Sequence, residues 1–178
     1  ALNLDVRVRH DVTAVNTEAR TVTVSTDAGT EQISYDALIL SPGALAIRPP
    51  LPGIDSPRVH TLRTVEDATT LRGLVTAGAR RAVVLGGGFI GIEAAEALRL
   101  QGLETSVVEL SPHVLPPFES ELAHLITEEL TGLGIAVHDG VGAEAIEPGV
   151  GHDTVVLADG TRIEADLIVL SVGVRPDT

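Results

Sequence analysis

A chain of 178 residues with 44% hydrophobic side chains is long enough for one domain, or one domain and part of another, and apolar enough to bury a core. Its net charge of −13, its twelve arginines without a lysine and its 2% aromatic content exclude the basic, ring-bearing footprint of a nucleic-acid binder, and they offer nothing to an anionic membrane surface. The lack of lysine excludes Schiff-base chemistry, the lack of cysteine excludes disulfides and thiolate sites, and no apolar run approaches the roughly 18 residues of a membrane span. No signal-peptide pattern opens the chain, so the cytoplasm is the expected location. Methionine is absent even at position 1, which reads as a fragment or a processed product.

Residues 4–8 alternate apolar and charged and predict a half-exposed strand, followed by similar runs at 11–16, 20–26 and 31–35. Asp27-Ala28-Gly29 is a turn signal between two of them, so a small antiparallel meander is expected. Ala37-Leu38-Ile39-Leu40 reads as a buried strand stopped by Ser41-Pro42-Gly43. Pro49, Pro50, Pro52 and Pro57 then mark residues 46–60 as a linker or a wrapped surface segment. Thr64 can cap a helix with Asp67 three residues later in a capping box, and Leu71, Leu74 and Val75 supply its apolar face.

Arg81–Leu85 is an apolar strand that runs directly into a glycine-rich turn, Gly86 to Gly91, and a helix from Ile92 to Leu100 runs out of it, closed by Gly102. A strand at Glu104–Glu109, a helix at 119–131 and a strand at 134–138 follow. Short strands at 143–147, 153–158 and 161–164, with Asp159-Gly160 as a hairpin turn, form a second meander. The apolar run Asp166–Ser171 closes the pattern and ends before Gly173. The succession βαβαβ, meander, closing strand indicates an open α/β sheet.

Gly86, Gly88 and Gly91 form G-x-G-x-x-G. Alone the spacing is weak evidence in a chain with 18 glycines; placed between a strand and a helix it predicts a dinucleotide-binding βαβ unit. Gly86 permits the tight turn, Gly88 lets the backbone approach a pyrophosphate, and Gly91 lets the helix pack close to the sheet. Phosphates would meet free N–H groups and the positive end of the helix dipole. Glu109, at the end of the second strand, can accept hydrogen bonds from the adenosine ribose and would repel a 2′-phosphate. No arginine follows between 110 and 118, so NAD(H) is expected over NADP(H).

These residues resemble the FAD-dependent pyridine nucleotide-disulfide oxidoreductases. Val84-Leu-Gly-Gly-Gly-Phe-Ile-Gly-Ile-Glu93 looks like their NAD(P) loop. Tyr35–Ala44 and Leu167–Pro176 resemble the two crossings between FAD and NAD domains. Arg48–Ile54 and Val114–Phe118 look most like the coenzyme A-disulfide reductase and NADH oxidase branch. The resemblance implies a Rossmann-like NAD(P)-binding domain with a parallel sheet and an antiparallel β-meander, plus partial FAD-domain strands. It divides the chain into residues 1–45 (partial FAD-domain meander and crossing strand), 46–170 (NAD(H)-binding domain) and 171–178 (return crossing). It implies that backbone N–H groups around Gly88, Phe89 and Ile90 hold the pyrophosphate, in a cofactor-binding loop that includes Gly86, Gly87 and Gly91. It also implies that Phe89 covers the flavin until nicotinamide displaces it, that Glu93 lies near the nicotinamide end, and that Gly173 lets cofactor pass the returning strand.

The FAD glycine loop and the redox cysteine of such proteins are absent from these 178 residues, so FAD would be held mostly by the rest of a longer parent, an expected homodimer. NADH would deliver hydride to flavin for reduction of a small-molecule disulfide or dioxygen. A ferredoxin- or rubredoxin-reductase-type flavoprotein domain is an alternative, and so is a non-catalytic NAD(H)-sensing module. Binding of S-adenosylmethionine fits the two crossings poorly. No side chain of this chain is put forward as catalytic. The six histidines show no i, i+3 or i, i+4 pairing, so no metal site is expected.

Overall fold

A computed structural model describes residues 4–177, which divide into two compact units on either side of the Pro42–Gly43 bond. The first unit is an antiparallel sheet of three strands, β1 (Asp11–Asn16), β2 (Thr21–Thr26) and β3 (Gly29–Ser34), in the order β1-β2-β3. Its turn at residues 27–29 uses Gly29 at φ +130°. Only the central strand buries side chains, Val22 and Val24, two residues apart as one face of a pleat requires.

Two expected strands are not formed. Residues 4–8 are irregular and exposed, and Ala37–Leu40 are likewise irregular, with Ile39 at 91% exposure. Alternation and apolar runs show what a strand would look like, but a strand forms only where a neighbour completes its hydrogen-bond ladder. Among the described residues none pairs with either segment.

The second unit holds, in chain order, β4 (Ala44–Ala46), β5 (Val59–Thr61), α1 (Val65–Thr76), β6 (Arg81–Leu85), α2 (Phe89–Leu100), β7 (Glu104–Val108), α3 (Ser120–Gly132), β8 (Ile135–His138), β9 (Ala143–Glu147), β10 (Asp153–Leu157), β11 (Arg162–Ala165), β12 (Leu167–Leu170) and β13 (Val174–Pro176). Five of them form a parallel sheet in the order β5-β12-β6-β7-β8. The fold is therefore α/β with a parallel sheet, as the sequence predicts. Parallel neighbours cannot be joined by a hairpin, and α2 and α3 make the crossovers from β6 to β7 and from β7 to β8. β9, β10 and β11 form the antiparallel meander, turned at Gly160 with φ +87°.

The parallel strands are buried on both faces, and alternate residues serve two separate cores. Ala82, Val84, Val107, Leu167 and Val169 pack against Leu71, Ala94, Ala95, Leu98 and Leu130 of the three helices. Val83, Leu85, Val108, Ile168 and Leu170 pack against Ile146, Val155, Leu157 and Ala165 of the meander. Each buried Val, Leu or Ile among them contributes about 1.5–3 kcal/mol, and helices on one face with a second sheet on the other explain the continuous apolar runs. The α1 start forms as expected: the Asp67 N–H donates to Thr64 Oγ1 and the Thr64 N–H to Asp67 Oδ2, each at 3.2 Å. At the entry to β12, Asp166 accepts the N–H groups of Arg80 and Arg81 and the Arg81 guanidinium. Burial works against its ionised form, but these donors prevail and hold the carboxyl below its ordinary value.

The proline-rich segment is wrapped rather than loose. Ile146 donates its N–H to Pro52 O at 2.8 Å. A Cβ on Gly53 would lie 1.8 Å from Ile146 O, so only glycine, here at φ +80°, fits. Asp153, fully buried at the start of β10, accepts the Ser56 hydroxyl, Arg58 Nη1 at 3.0 Å and the Gly149 N–H at 3.3 Å. The carboxylate thus ties the segment leading into β5 to the meander. Arg58→Leu removes the cation and leaves a buried carboxylate with neutral donors only; it should lower the unfolding free energy by about 1.5–3 kcal/mol, the worth of a hydrogen bond to a charged group, read by urea denaturation. A loss below about 0.5 kcal/mol, the size of an ordinary surface substitution, would show that this pair does not hold the segment.

Candidate functional site

The strand β6 ends at the middle of the parallel sheet, and its continuation must turn sharply to start α2. Gly86 makes that turn at φ +109°, its N–H donating to Val108 O at 2.8 Å. A Cβ there would lie 2.3 Å from Ser171 O, the residue after β12. A Cβ on Gly91 would lie 1.9 Å from Gly86 O, which sets how closely α2 approaches the loop. Gly88 differs from both: its φ is −77°, ordinary for any residue, and nothing lies within 4 Å of where its Cβ would be. It is the N-cap of α2, so the first N–H groups of the helix have no intrahelical partner, and no side chain caps them.

The helix begins at Phe89, three residues earlier than its apolar periodicity suggests. Phe89 and Ile90, at 57% and 49% exposure, turn away from the core, so the apolar pattern starts only at Ile92.

A cleft of about 750 Å³ opens above the carboxyl ends of β6, β7 and β12. Gly86, Gly88, Phe89, Ile90, Glu109 and Gly173 line it. Gly87 and Gly91 lie beneath them as part of the packed loop, and Glu93 is exposed on α2 and is not among the lining residues. Pro49, Leu51 and Leu170 give the cleft apolar walls, and Arg63, which the sequence reading did not single out, adds a cation. Gly173, at φ +106°, returns the chain past Ile47, whose N–H it accepts at 3.0 Å, before β13 pairs with β4.

Glu109 is buried, at 8% exposure, and both carboxylate oxygens are engaged. Oε2 accepts the Gly87 N–H at 2.6 Å and Oε1 accepts the Ser111 N–H at 2.7 Å. Each oxygen keeps a further lone pair. The segment after β7 is also tied to the loop: the Leu115 N–H donates to Gly87 O at 2.8 Å, and Val114 is fully buried against Gly87. The Phe89 ring meets Phe118 edge-to-face, with centroids 5.7 Å apart and planes at 87°.

A smaller cavity of about 220 Å³ is lined by Arg48, Val59, His60, Thr61, Asp67 and Thr70. His60 Nε2 is buried there without a hydrogen-bond partner among the described residues. Burial lowers the pKa of this imidazole, with Asp67 acting in the opposite sense. Among the described residues no three His, Asp or Glu side chains gather closely enough to hold a metal ion, and no helix is long and apolar enough to cross a membrane.

All of residues 1–178 match the family described as pyridine nucleotide-disulphide oxidoreductase. The chain is 36% identical, over 82% of its length and 34% of the relative's, to the NADH-dependent phenylglyoxylate dehydrogenase subunit epsilon of Aromatoleum evansii. Reduced Bacillus anthracis CoADR-RHD superimposes with a TM-score of 0.90 at 36% identity, over 98% of this chain and 32% of that one. The water-forming NADH oxidase from Lactobacillus brevis, bound to NADH, gives 0.85 at 29% identity, over 95% and 38%. The chain therefore spans about a third of the length of these relatives.

The glycine geometry separates folding from access. Gly86→Ala should cost roughly 3 kcal/mol of stability through its φ and its collision with Ser171 O, whereas Gly88→Ala should cost less than about 1 kcal/mol; thermal melts of the two variants check this, and equal losses would refute it. The buried imidazole sets a pH dependence. A histidine held neutral in the folded chain but free to protonate when unfolded loses stability as the pH falls below the ordinary value of 6.5. His60→Gln should therefore lose less stability than the parent between pH 6.5 and about 5, and parallel slopes in urea denaturation would show that His60 does not titrate differently on folding.

Proposed function

The chain belongs to the pyridine nucleotide-disulphide oxidoreductase family, and on that premise we propose that it is the NAD(H)-binding domain of an FAD-dependent oxidoreductase that passes hydride from NADH to flavin and onward to a small disulfide or dioxygen. The observation that carries the proposal is the open space at Gly88. Of the three motif glycines, two are enforced by the fold, while the third stands where a Cβ would meet nothing, at the N-terminus of α2 that no side chain caps. A backbone that keeps glycine where packing does not demand it, at a helix start facing a cleft, suits a pyrophosphate.

When bound, the nicotinamide would supply the hydride chemistry, toward an FAD that the rest of a longer parent would mainly hold. The residues of this chain bind and orient. The N–H groups of Gly88, Phe89 and Ile90 take the pyrophosphate, and Gly86, Gly87 and Gly91 shape the loop that presents them. Glu109 takes the adenosine ribose hydroxyls with the lone pairs its backbone contacts leave free. Gly173 would leave room beside the returning strand, and Phe89, which lines the cleft, would cover the flavin until nicotinamide displaces it. Glu93 does not line the cleft, and its assignment to the nicotinamide end rests on the resemblance alone. Residues 46–170 form the cofactor domain of this proposal, while 1–45 and 171–178 are parts of the FAD domain. The exposed Leu38, Ile39 and Leu40 suit a strand completed by the rest of that domain. A cytoplasmic, homodimeric parent belongs to this proposal and rests on the resemblance and the sequence reading alone.

Calorimetric titration of the chain with NADH and NADPH tests the reading. NADH should bind saturably and NADPH at least about tenfold more weakly, a difference of ~1.4 kcal/mol. Glu109→Ala also frees two loop N–H groups, so both affinities should fall, but the preference between the two cofactors should disappear. NADPH binding as tightly as NADH in the parent chain would overturn the assignment of Glu109.

A further inference from the structure

The smaller cavity, of about 220 Å³, lies at the β5 edge of the parallel sheet and shares no lining residue with the cleft above the strand ends. Three elements converge on it. The wrapped proline-rich segment brings Arg48, β5 brings Val59, His60 and Thr61, and α1 brings Asp67 and Thr70. Five of these six side chains are polar or charged, so the cavity suits a polar guest. Its three ionisable groups all have bonding capacity left over. Arg48 uses only Nη2, which donates to Ile54 O at 2.7 Å and reaches Asp55 at 3.5 Å; Nε and Nη1 meet no acceptor among the described residues. Asp67 uses only Oδ2, which accepts the N–H groups of Arg63 at 2.8 Å and Thr64 at 3.2 Å and the Thr61 hydroxyl at 3.4 Å. Nothing among the described residues donates to its Oδ1. His60 Nε2 is buried with no partner among them either, and a buried nitrogen in that condition calls for a ligand that supplies one.

The charges around the imidazole decide which ligand fits. Burial lowers the pKa of the ring; Asp67 opposes this and Arg48 adds to it. An anion among these groups would pair with the Arg48 guanidinium and accept the Nε2–H of a charged ring, so protonation would no longer be disfavoured. Asp67 repels a fully deprotonated anion, because two acceptors would then face each other. An oxyanion that keeps an O–H can donate to Oδ1 and turn the same carboxylate into a partner.

We propose that this cavity is a second ligand site, for a small oxyanion that carries an O–H, of the class of hydrogen phosphate, held by Arg48, His60 and Asp67. Arg48 and the protonated His60 donate to the oxygens of the anion, and its O–H donates to Asp67 Oδ1. Binding and protonation are then linked: the anion prefers the charged ring, and it raises the pH at which His60 takes its proton. The site lies apart from the cleft and does not depend on the NAD(H) reading.

The test is a proton NMR titration of the 178-residue chain, following the ring C–H signals of its six histidines from about pH 5 to 8. It is run in chloride, in sulfate and in inorganic phosphate at equal ionic strength, and the signal lost in His60→Gln is that of His60. Phosphate should move the His60 midpoint upward by at least about 0.5 unit, roughly a threefold preference for the charged ring. Sulfate has the same tetrahedral shape but no O–H at these pH values, and should leave the midpoint where chloride does. Arg48→Gln should abolish the phosphate response, and the other five histidine signals report whether the variant is folded. A midpoint that phosphate does not move would show that the cavity holds water only. The same movement with sulfate, or a phosphate response that survives in Arg48→Gln, would also overturn the proposal. The comparison of phosphate with sulfate needs only the parent chain, so it decides the matter even where the variant fails to fold.

Discussion

Three backbone segments meet at the carboxyl end of the parallel sheet with no room between them for a side chain. The turn at Gly86 lies against Ser171 after β12, and the first turn of α2 lies against Gly86 itself. This crowding fixes where the helix starts and which way its free N–H groups point. It also explains the order of the sheet: β12, the last of the parallel strands in sequence, must sit beside β6 for Ser171 to reach the loop. The cleft is the space left above these strand ends.

Glu109 extends the same constraint to the third strand. Its carboxylate caps the Gly87 N–H and the Ser111 N–H, so the end of β7 holds the loop from the side opposite β12. Buried loops need partners for their N–H groups, and one carboxylate serves two of them. On the proposed NAD(H) reading, specificity and loop geometry would be coupled in this one side chain, and a substitution made there to change cofactor preference would also disturb the loop. A residue that replaced Glu109 to admit a 2′-phosphate would have to supply new acceptors for both donors.

The parts of this arrangement that were legible in the sequence are those set by local chemistry. The run Arg81–Leu85 followed by the glycines, the Thr64–Asp67 box and the Asp159-Gly160 turn each carry their signal within a few residues, and each forms as read. The illegible parts depend on residues far apart in the chain. β4 and β13 are three residues each and exist only through their mutual pairing across the whole second unit. The buried Asp153 looks like an ordinary strand-start acid until the fold delivers Ser56 and Arg58 to it. Ala37–Leu40 fails in the other direction, since its apolar pattern is strong but no neighbouring strand is present among the described residues. The site splits the same way. The glycine motif and Glu109 could be named from spacing, whereas the second duty of Glu109 and the contact of Phe118 with Phe89 could not.

A chain with a net charge of −13 is an unexpected host for the pyrophosphate proposed above, and the groups that line the cleft are what would reconcile the two. Net charge acts over distances beyond the Debye length only weakly, about 8 Å at physiological ionic strength, so the groups within the cleft decide. There the uncapped start of α2 presents N–H dipoles and the positive helix end, and Arg63 adds a full positive charge to the lining. The acid that does enter the cleft, Glu109, has its two oxygens turned to N–H donors, which disperses its charge toward the backbone rather than toward the phosphates. The remaining acidic excess is screened at the distances from which it acts, so it opposes the approach of every phosphate ligand weakly and alike and leaves the choice among them to the groups of the cleft.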